Sequence, residues 1–199
     1  MLSGYNKDID YQKSLLIKIL EQSRINGILD ALARLDIPEY YAGAGCIVQT
    51  VWNYLSVFSE GKGIDDIDIA YFDAADLSYE AEDRIIKKIT LALSEISVKL
   101  DIKNQSRVHL WYKECFGYEI EPYSSLEDAI NTWPTTATSI GVRKNRAGEF
   151  MVYAPFGLND LFGKIVRANK KKITKEIYQK KVDKWLKTWP DLKIIPWEK

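Results

Sequence analysis

The sequence predicts an α+β domain: a mixed β-sheet flanked by helices, with a helical C-terminal part. Three observations carry this reading. Apolar residues recur at three- and four-residue spacing over several long segments, the mark of amphipathic helices. Residues 64–73, Ile-Asp-Asp-Ile-Asp-Ile-Ala-Tyr-Phe-Asp, alternate carboxylate and apolar positions, the two-residue period of a strand. Late in the chain, residues 137–144 and 149–153 flank Asn145-Arg146-Ala147-Gly148, a hairpin signal. Strands interspersed with helices argue for a mixed sheet with helices packed on it.

The elements follow in order. Residues 9–34 read as one long helix, with Leu15, Leu16, Ile19, Leu20, Ile25, Ile28, Leu29 and Leu32 on one face. Residues 39–42 read as a short connector and Gly43-Ala44-Gly45 as a tight turn. Helical spacing returns over 46–57, and 59–63 is a loop. After the acidic strand, a helix opens at Ser78 or Tyr79 and runs to about 96, followed by a second strand over 98–103. Residues 108–116 fit a helical face slightly better than a strand. Ser125 with Asp128 resembles a capping box opening a short helix through Thr132. Beyond the hairpin, two helices are expected over 157–169 and 174–188, the second capped by Thr174.

The 199 residues make a single domain, 1–199, with an N-terminal helix and a C-terminal helical extension and tail. Twenty-eight basic residues balance 28 acidic ones, which removes the argument for a general polyanion binder. Nucleic acid is a possible partner that the net charge does not indicate, and a local basic groove remains open. Cys46 and Cys115 are too few for a disulfide scaffold or a Cys-rich zinc site, and a single histidine, His109, argues against single-chain zinc or haem ligation by histidine. No apolar run is long enough to span a membrane, and the first residues lack a basic and then apolar leader. A soluble, cytoplasmic protein is expected. Trp185, Trp189 and Trp197 suit a C-terminus docked on the body.

The stretch Gly63-Ile64-Asp65-Asp66-Ile67-Asp68-Ile69 carries the chemistry. On a strand, Asp66 and Asp68 share one face while Ile67 and Ile69 enter the core. Two adjacent carboxylates repel unless a cation lies between them, and oxygen-only ligands suit Mg²⁺. Acids facing solvent on an ordinary edge strand are the alternative. Gly43-Ala44-Gly45, opening a helix ahead of that strand, lets backbone N–H groups approach a phosphate; a packing turn is its alternative. Asp101, within Leu-Asp-Ile on the second strand, is a third carboxylate. It would serve a second metal or activate an attacking hydroxyl, unless it is a surface acid.

The turn and the acidic strand together resemble the nucleotidyltransferase superfamily related to polymerase beta. Over roughly residues 10–199 the chain is similar to a poorly characterised nucleotidyltransferase-like family within it. The likeness rests on residues 42–53, 65–73 and 104–112, on Ala129-Ile130-Asn131-Thr132-Trp133-Pro134-Thr135-Thr136-Ala137-Thr138, and on Tyr153-Ala154-Pro155-Phe156-Gly157-Leu158. It implies a nucleotidyltransferase fold and Mg²⁺- or Mn²⁺-dependent transfer of a nucleoside monophosphate from NTP to a hydroxyl-type acceptor, with release of pyrophosphate. Gly43 and Gly45 match the glycine turn, Asp66 and Asp68 the metal pair, and Asp101 the third acid. Cys46 stands where many relatives place a serine. A non-catalytic nucleotide-binding or regulatory module that keeps the fold is the alternative.

Other residues are weighed beside these. Arg107, in the polar run after Asp101, could grip a triphosphate or make a surface salt bridge. His109 could relay a proton, although a lone His between Val108 and Leu110 is more often simply buried. Thr135 and Thr136, by the Trp133-Pro134 turn, could bind ribose or phosphate, or merely enter a strand. Arg143 is a further triphosphate candidate. Lys164, Arg167, Lys170, Lys171 and Lys172 form a basic cluster that suits a solvated helix end, with contact to RNA or a phosphorylated acceptor as the alternative.

Overall fold

The computed structural model describes residues 8–198; the N-terminal stretch read above for a leader lies outside the described residues. Eight α-helices and seven strands alternate among these residues. Five strands form one mixed sheet in the order β3-β2-β1-β4-β5. They are β1 (Tyr40–Gly43), β2 (Asp66–Tyr71), β3 (Lys99–Asn104), β4 (Gly141–Lys144) and β5 (Phe150–Tyr153). β2 runs parallel to β3 and antiparallel to β1, while β4 is antiparallel to both β1 and β5.

One face of this sheet carries the main core. Ile67, Ile69 and Tyr71 of β2, Tyr40 and Ala42 of β1, Ile102 of β3 and Val142 of β4 pack against helices α1 (Ile9–Glu21), α2 (Arg24–Ala33), α3 (Ala44–Leu55) and α4 (Tyr79–Ala92). The long N-terminal helix expected over 9–34 is two helices. Ser23 is extended and its side chain accepts from the Ile25 N–H, so the chain stops and restarts there. The connector at 39–42 is the central strand β1. All four of its residues are buried, so it lacks the alternation that marks half-buried strands. Ser78, Ser125 and Thr174 each cap the helix expected after them.

The other face is partly covered. Tyr41 and Ala70 form a small second core with Leu126 and Ile130, whose helix α6 (Leu126–Ile130) lies across the C-terminal half of β2. The segment 108–116 is helical, as α5 (Val108–Phe116). Of the helix expected over 157–169, only one turn forms, α7 (Asn159–Phe162). The chain then enters strand β6 (Ile165–Val166), which pairs in parallel with β7 (Lys193–Ile194) from the tail.

Helix α8 (Lys175–Leu186) and the tail are docked by tryptophans. The Trp52 ring of α3 meets Trp185 at 5.6 Å and Trp189 at 5.5 Å, both edge-to-face. Trp189 Nε1 donates to Asn53 Oδ1 at 3.0 Å, and its ring lies against Gly63, where a Cβ would come within 2.7 Å of it. No helix among the described residues is long and apolar enough to cross a membrane.

Trp189→Ala removes a ring that is 1% exposed and unpins both the tail and the 59–63 loop. It is expected to cost about 3–5 kcal/mol of stability. Urea unfolding followed by far-ultraviolet circular dichroism measures this; a change below about 1 kcal/mol would show that the tail is peripheral to the core.

Candidate active site

The uncovered half of the second sheet face holds the acids. Asp66 and Asp68 are two residues apart on β2 and share that face. Parallel pairing places Asp101 directly beside Asp68, so all three carboxylates rise from the same face of neighbouring strands. The two-residue period that buries Ile67, Ile69 and Ile102 on one side sets the acids on the other.

Gly43 lies opposite Asp68 on the antiparallel neighbour β1. Its backbone is extended, so the need for glycine is spatial: a Cβ would stand 2.6 Å from the Ile140 carbonyl and 2.6 Å from the Trp133 ring. The left-handed position of the turn belongs instead to Ala44, at φ +49°, which places strain on a non-glycine residue. Ala44 N–H donates to the Ile140 carbonyl at 3.2 Å. Gly45, in the first turn of α3, opens toward the acids. A Cβ there would stand 3.7 Å from Asp68 Oδ2 and 3.5 Å from the Gln49 amide. The next residue, Cys46, is fully buried, and its thiol donates to the Gly43 carbonyl at 3.0 Å. Burial, with Asp68 close by, pushes that thiol far up, so it stays neutral.

The electrostatics single out Asp68. Burial first, then the charges of Asp66 and Asp101, push its carboxyl up to about 7, while Lys103 and Lys181 pull the other way. Lys103 sits two residues after Asp101 on β3 and ion-pairs with it. Two further lysines come from α8, which the sequence reading did not connect to the site. Lys184 bridges to Asp65 at 2.8 Å, and Lys181, one turn earlier, interacts electrostatically with Asp68 and Asp66. Their signal in the sequence is only a spacing: Lys181 and Lys184 interleave with Tyr178, Val182 and Trp185, the buried stripe of the helix. With Asp101 turned to Lys103, no three acidic, histidine or cysteine side chains among the described residues are grouped to enclose a metal ion. The donor set nevertheless suits a divalent cation, because a carboxyl that burial and two neighbouring acids keep protonated near neutrality would release its proton to one.

Other expected site residues are placed elsewhere. Arg107 follows the C-terminal end of β3, whereas Asp66 stands at the start of β2, opposite Lys99. Five strand steps of about 3.3 Å separate the two ends. Arg107 ion-pairs with Glu82, only 12% of its side chain is exposed, and its Nε donates to the Leu77 carbonyl. The polar run it belongs to ties down the loop after β2: Asn104 both accepts from the Asp73 N–H and donates to the Asp73 carbonyl. His109 begins α5 at that same far end, with Nδ1 buried and unpartnered.

Thr135 is fully buried, its hydroxyl 2.8 Å from that of Thr138, and so is not available to a nucleotide as placed. Thr136 donates to Asp160 Oδ2 at 2.5 Å, and Arg167 bonds the same oxygen at 2.9 Å. These threonines brace the turn that presents Trp133 and Ile140 to Gly43. The expected basic cluster is divided in the same way, because Lys164 is held by Asp191 and Lys170 lies over the Trp197 ring. Arg143 does project from the acid face, at the level of Tyr41. It pairs with Glu39 at 2.7 Å and lies 5.2 Å over the Tyr41 ring.

The model of a nucleotidyltransferase family matches residues 30–194 of the chain. A solved structure described as revealing a CCA-adding enzyme head domain superposes with a TM-score of 0.73 at 26% identity, covering 91% of this chain and 94% of its own. No match was found among curated proteins.

Because the folded carboxyl of Asp68 titrates near 7, against 3.8 for an ordinary aspartate, the native state holds a proton that the unfolded chain has released. Its contribution to stability is present below about pH 4 and is lost as the pH rises toward 7. Urea unfolding at a series of pH values should show stability falling over that window, and Asp68→Asn should flatten the fall. An unchanged slope in the variant would show that Asp68 is not the group responsible.

Proposed function

The chain belongs to a nucleotidyltransferase family, and from that premise we propose that it transfers a nucleoside monophosphate from an NTP to an acceptor hydroxyl, with divalent metal bound by Asp66, Asp68 and Asp101. The observation that supports this best is the convergence of these three acids on one sheet face beside the Gly43–Gly45 turn. The metal would be Mg²⁺ or Mn²⁺, held by the carboxylates of Asp66, Asp68 and Asp101; when bound, it would supply positive charge to the triphosphate and its leaving group.

The chain's own groups then divide the work. The backbone N–H groups at the start of α3 orient phosphates, since Gly45 leaves the approach open. Asp101 takes or positions the proton of the acceptor hydroxyl once its carboxylate leaves Lys103. The hydroxyl oxygen attacks the α-phosphorus, the bond to the bridging oxygen breaks, and pyrophosphate departs. Trp133, half-exposed beside Gly43, offers a ring on the same face for a planar group.

One observation favours the non-catalytic alternative: in the structure Lys103 holds the Asp101 carboxylate. A single experiment separates the two readings. With α-labelled NTP, Mg²⁺ or Mn²⁺ and a panel of acceptors comprising small molecules, protein side chains and an RNA end, the protein should release pyrophosphate and label one acceptor. Binding of NTP without turnover across the panel would favour the module. Release of orthophosphate instead would replace nucleotidyl transfer with γ-phosphate chemistry.

Asp68→Asn is expected to abolish transfer and weaken metal binding while the circular dichroism spectrum stays native. Asp101→Asn should lower kcat by about 10²–10⁴-fold with a smaller effect on NTP affinity, because its work lies on the attacking side. Steady-state pyrophosphate release and equilibrium NTP binding, measured side by side, check that split.

A further inference from the structure

Lys181 is a half-buried cation placed against a cluster of acids, and its setting differs from those of the lysines around it. Lys103 and Lys184 each hold a carboxylate directly, on Asp101 and Asp65. Lys181 makes no ion pair among the described residues; its ammonium lies 5.8 Å from the Trp185 ring and interacts through space with Asp68 and Asp66. Burial lowers its pKa, and the two aspartates raise it back in part.

The backbone beneath it is firmly located. Trp185 packs edge-to-face on Trp52 of α3, and its Nε1 donates to the Gln49 side-chain oxygen at 3.3 Å, while the Gln49 amide donates to the Gly63 carbonyl at 3.1 Å. Gln49 is also the side chain nearest Gly45. Helix α8 is thereby fixed to the helix whose first turn faces Asp68, and the ion pair of Lys184 with Asp65, one turn on, holds Lys181 within electrostatic reach of Asp68 and Asp66. Lys180, beside it in sequence, is exposed.

Three acids against two lysines leave this face close to neutral without a metal and positive once a divalent ion is bound. A positive, partly dry cleft suits a polyanion more than a mononucleotide, and an ammonium without a partner costs little to redirect. We propose that Lys181 is an exchangeable counter-cation: it offsets Asp66 and Asp68 while no metal is present, and it binds the terminal phosphates of a nucleoside triphosphate when metal and nucleotide enter together. This rests on the metal-and-NTP reading of the site given above.

The proposal predicts effects of opposite sign from one substitution. Lys181→Met keeps the length and removes the charge. Affinity for Mn²⁺ alone, read from the paramagnetic resonance signal of the free ion, should rise about threefold or more, because a competing cation is gone. Affinity for a non-hydrolysable NTP in the presence of Mn²⁺, read by calorimetry, should fall roughly tenfold or more, while affinity for the corresponding NMP stays unchanged. Lys180→Met should move none of the three. Lys181→Gln is a second neutral variant should the Met form not fold, and Lys181→Arg should keep the wild-type order.

Mn²⁺ binding that is unaltered or weakened by the loss of charge would overturn the counter-cation role. An equal loss of NTP and NMP affinity would overturn the assignment to the terminal phosphates. Absence of Mn²⁺ binding to the wild-type protein would instead remove the metal reading itself, and this proposal with it.

Discussion

Repulsion among carboxylates is the constraint to which the surroundings of this site answer. Parallel pairing of β2 with β3 puts Asp101 beside Asp68, and the strand period puts Asp66 on the same face. Asp66 and Asp68 cannot turn away without reversing β2, whose other side is Ile67, Ile69 and Tyr71, nor Asp101 without reversing β3, whose other side carries Ile102, all buried in the main core. The protein therefore meets the charge where it stands. Lys103 pairs with Asp101, Lys184 pairs with Asp65, Lys181 interacts through space with Asp68 and Asp66, and Asp68 retains a proton up to about pH 7. Cys46, just behind, is buried and neutral, so no further negative charge is added from the helix side.

Packing on the far face makes this arrangement tolerable. Four helices and the apolar face of the sheet form one continuous core, and the C-terminal segment belongs to it. Trp185 and Trp189 meet on the Trp52 ring, which joins α8 to α3. The same contacts that stabilise the tail position Lys181 and Lys184, so stability and electrostatics share one set of tryptophans. Gly43 plays a comparable double part on the other side: its missing side chain admits the Trp133 ring and the Ile140 carbonyl, and it lies opposite Asp68.

Local pattern revealed the parts of the structure that depend on local spacing. The alternation at 64–69 located β2 and the shared face of its acids, and single capping residues at Ser78, Ser125 and Thr174 located helix starts. Strand β1 was hidden because Tyr-Tyr-Ala-Gly is buried on both faces and has no period; its pairing with β2 and β4 defines it. Arg107 misled because nearness in sequence to Asp101 becomes distance in space along an extended strand. Thr135 misled because its hydroxyl closes a turn. The reverse error hid Lys181 and Lys184, which lie more than a hundred residues from Asp65, Asp66 and Asp68 and reach them only through the docking of a C-terminal helix.

The even balance of charge in the composition takes a particular local form. Basic residues that could have met a polyanion are held by carboxylates: Arg107 by Glu82, Arg143 by Glu39, Lys164 by Asp191 and Arg167 by Asp160. Such pairs bring little attraction for a phosphate, because each cation already has its anion and redirecting it would strand a carboxylate. The acid face is built on a different principle. Its charges are left partly unmatched, with Asp66, Asp68 and Asp101 against Lys103 and Lys181, and a small divalent cation would more than make up that difference. Attraction for a triphosphate would then be conditional on that cation, since without it the face offers acids first. On the proposed function, a chain with no basic excess would gain a site for a highly charged substrate only in the presence of metal, and the distribution of its lysines, more than their number, would set that dependence.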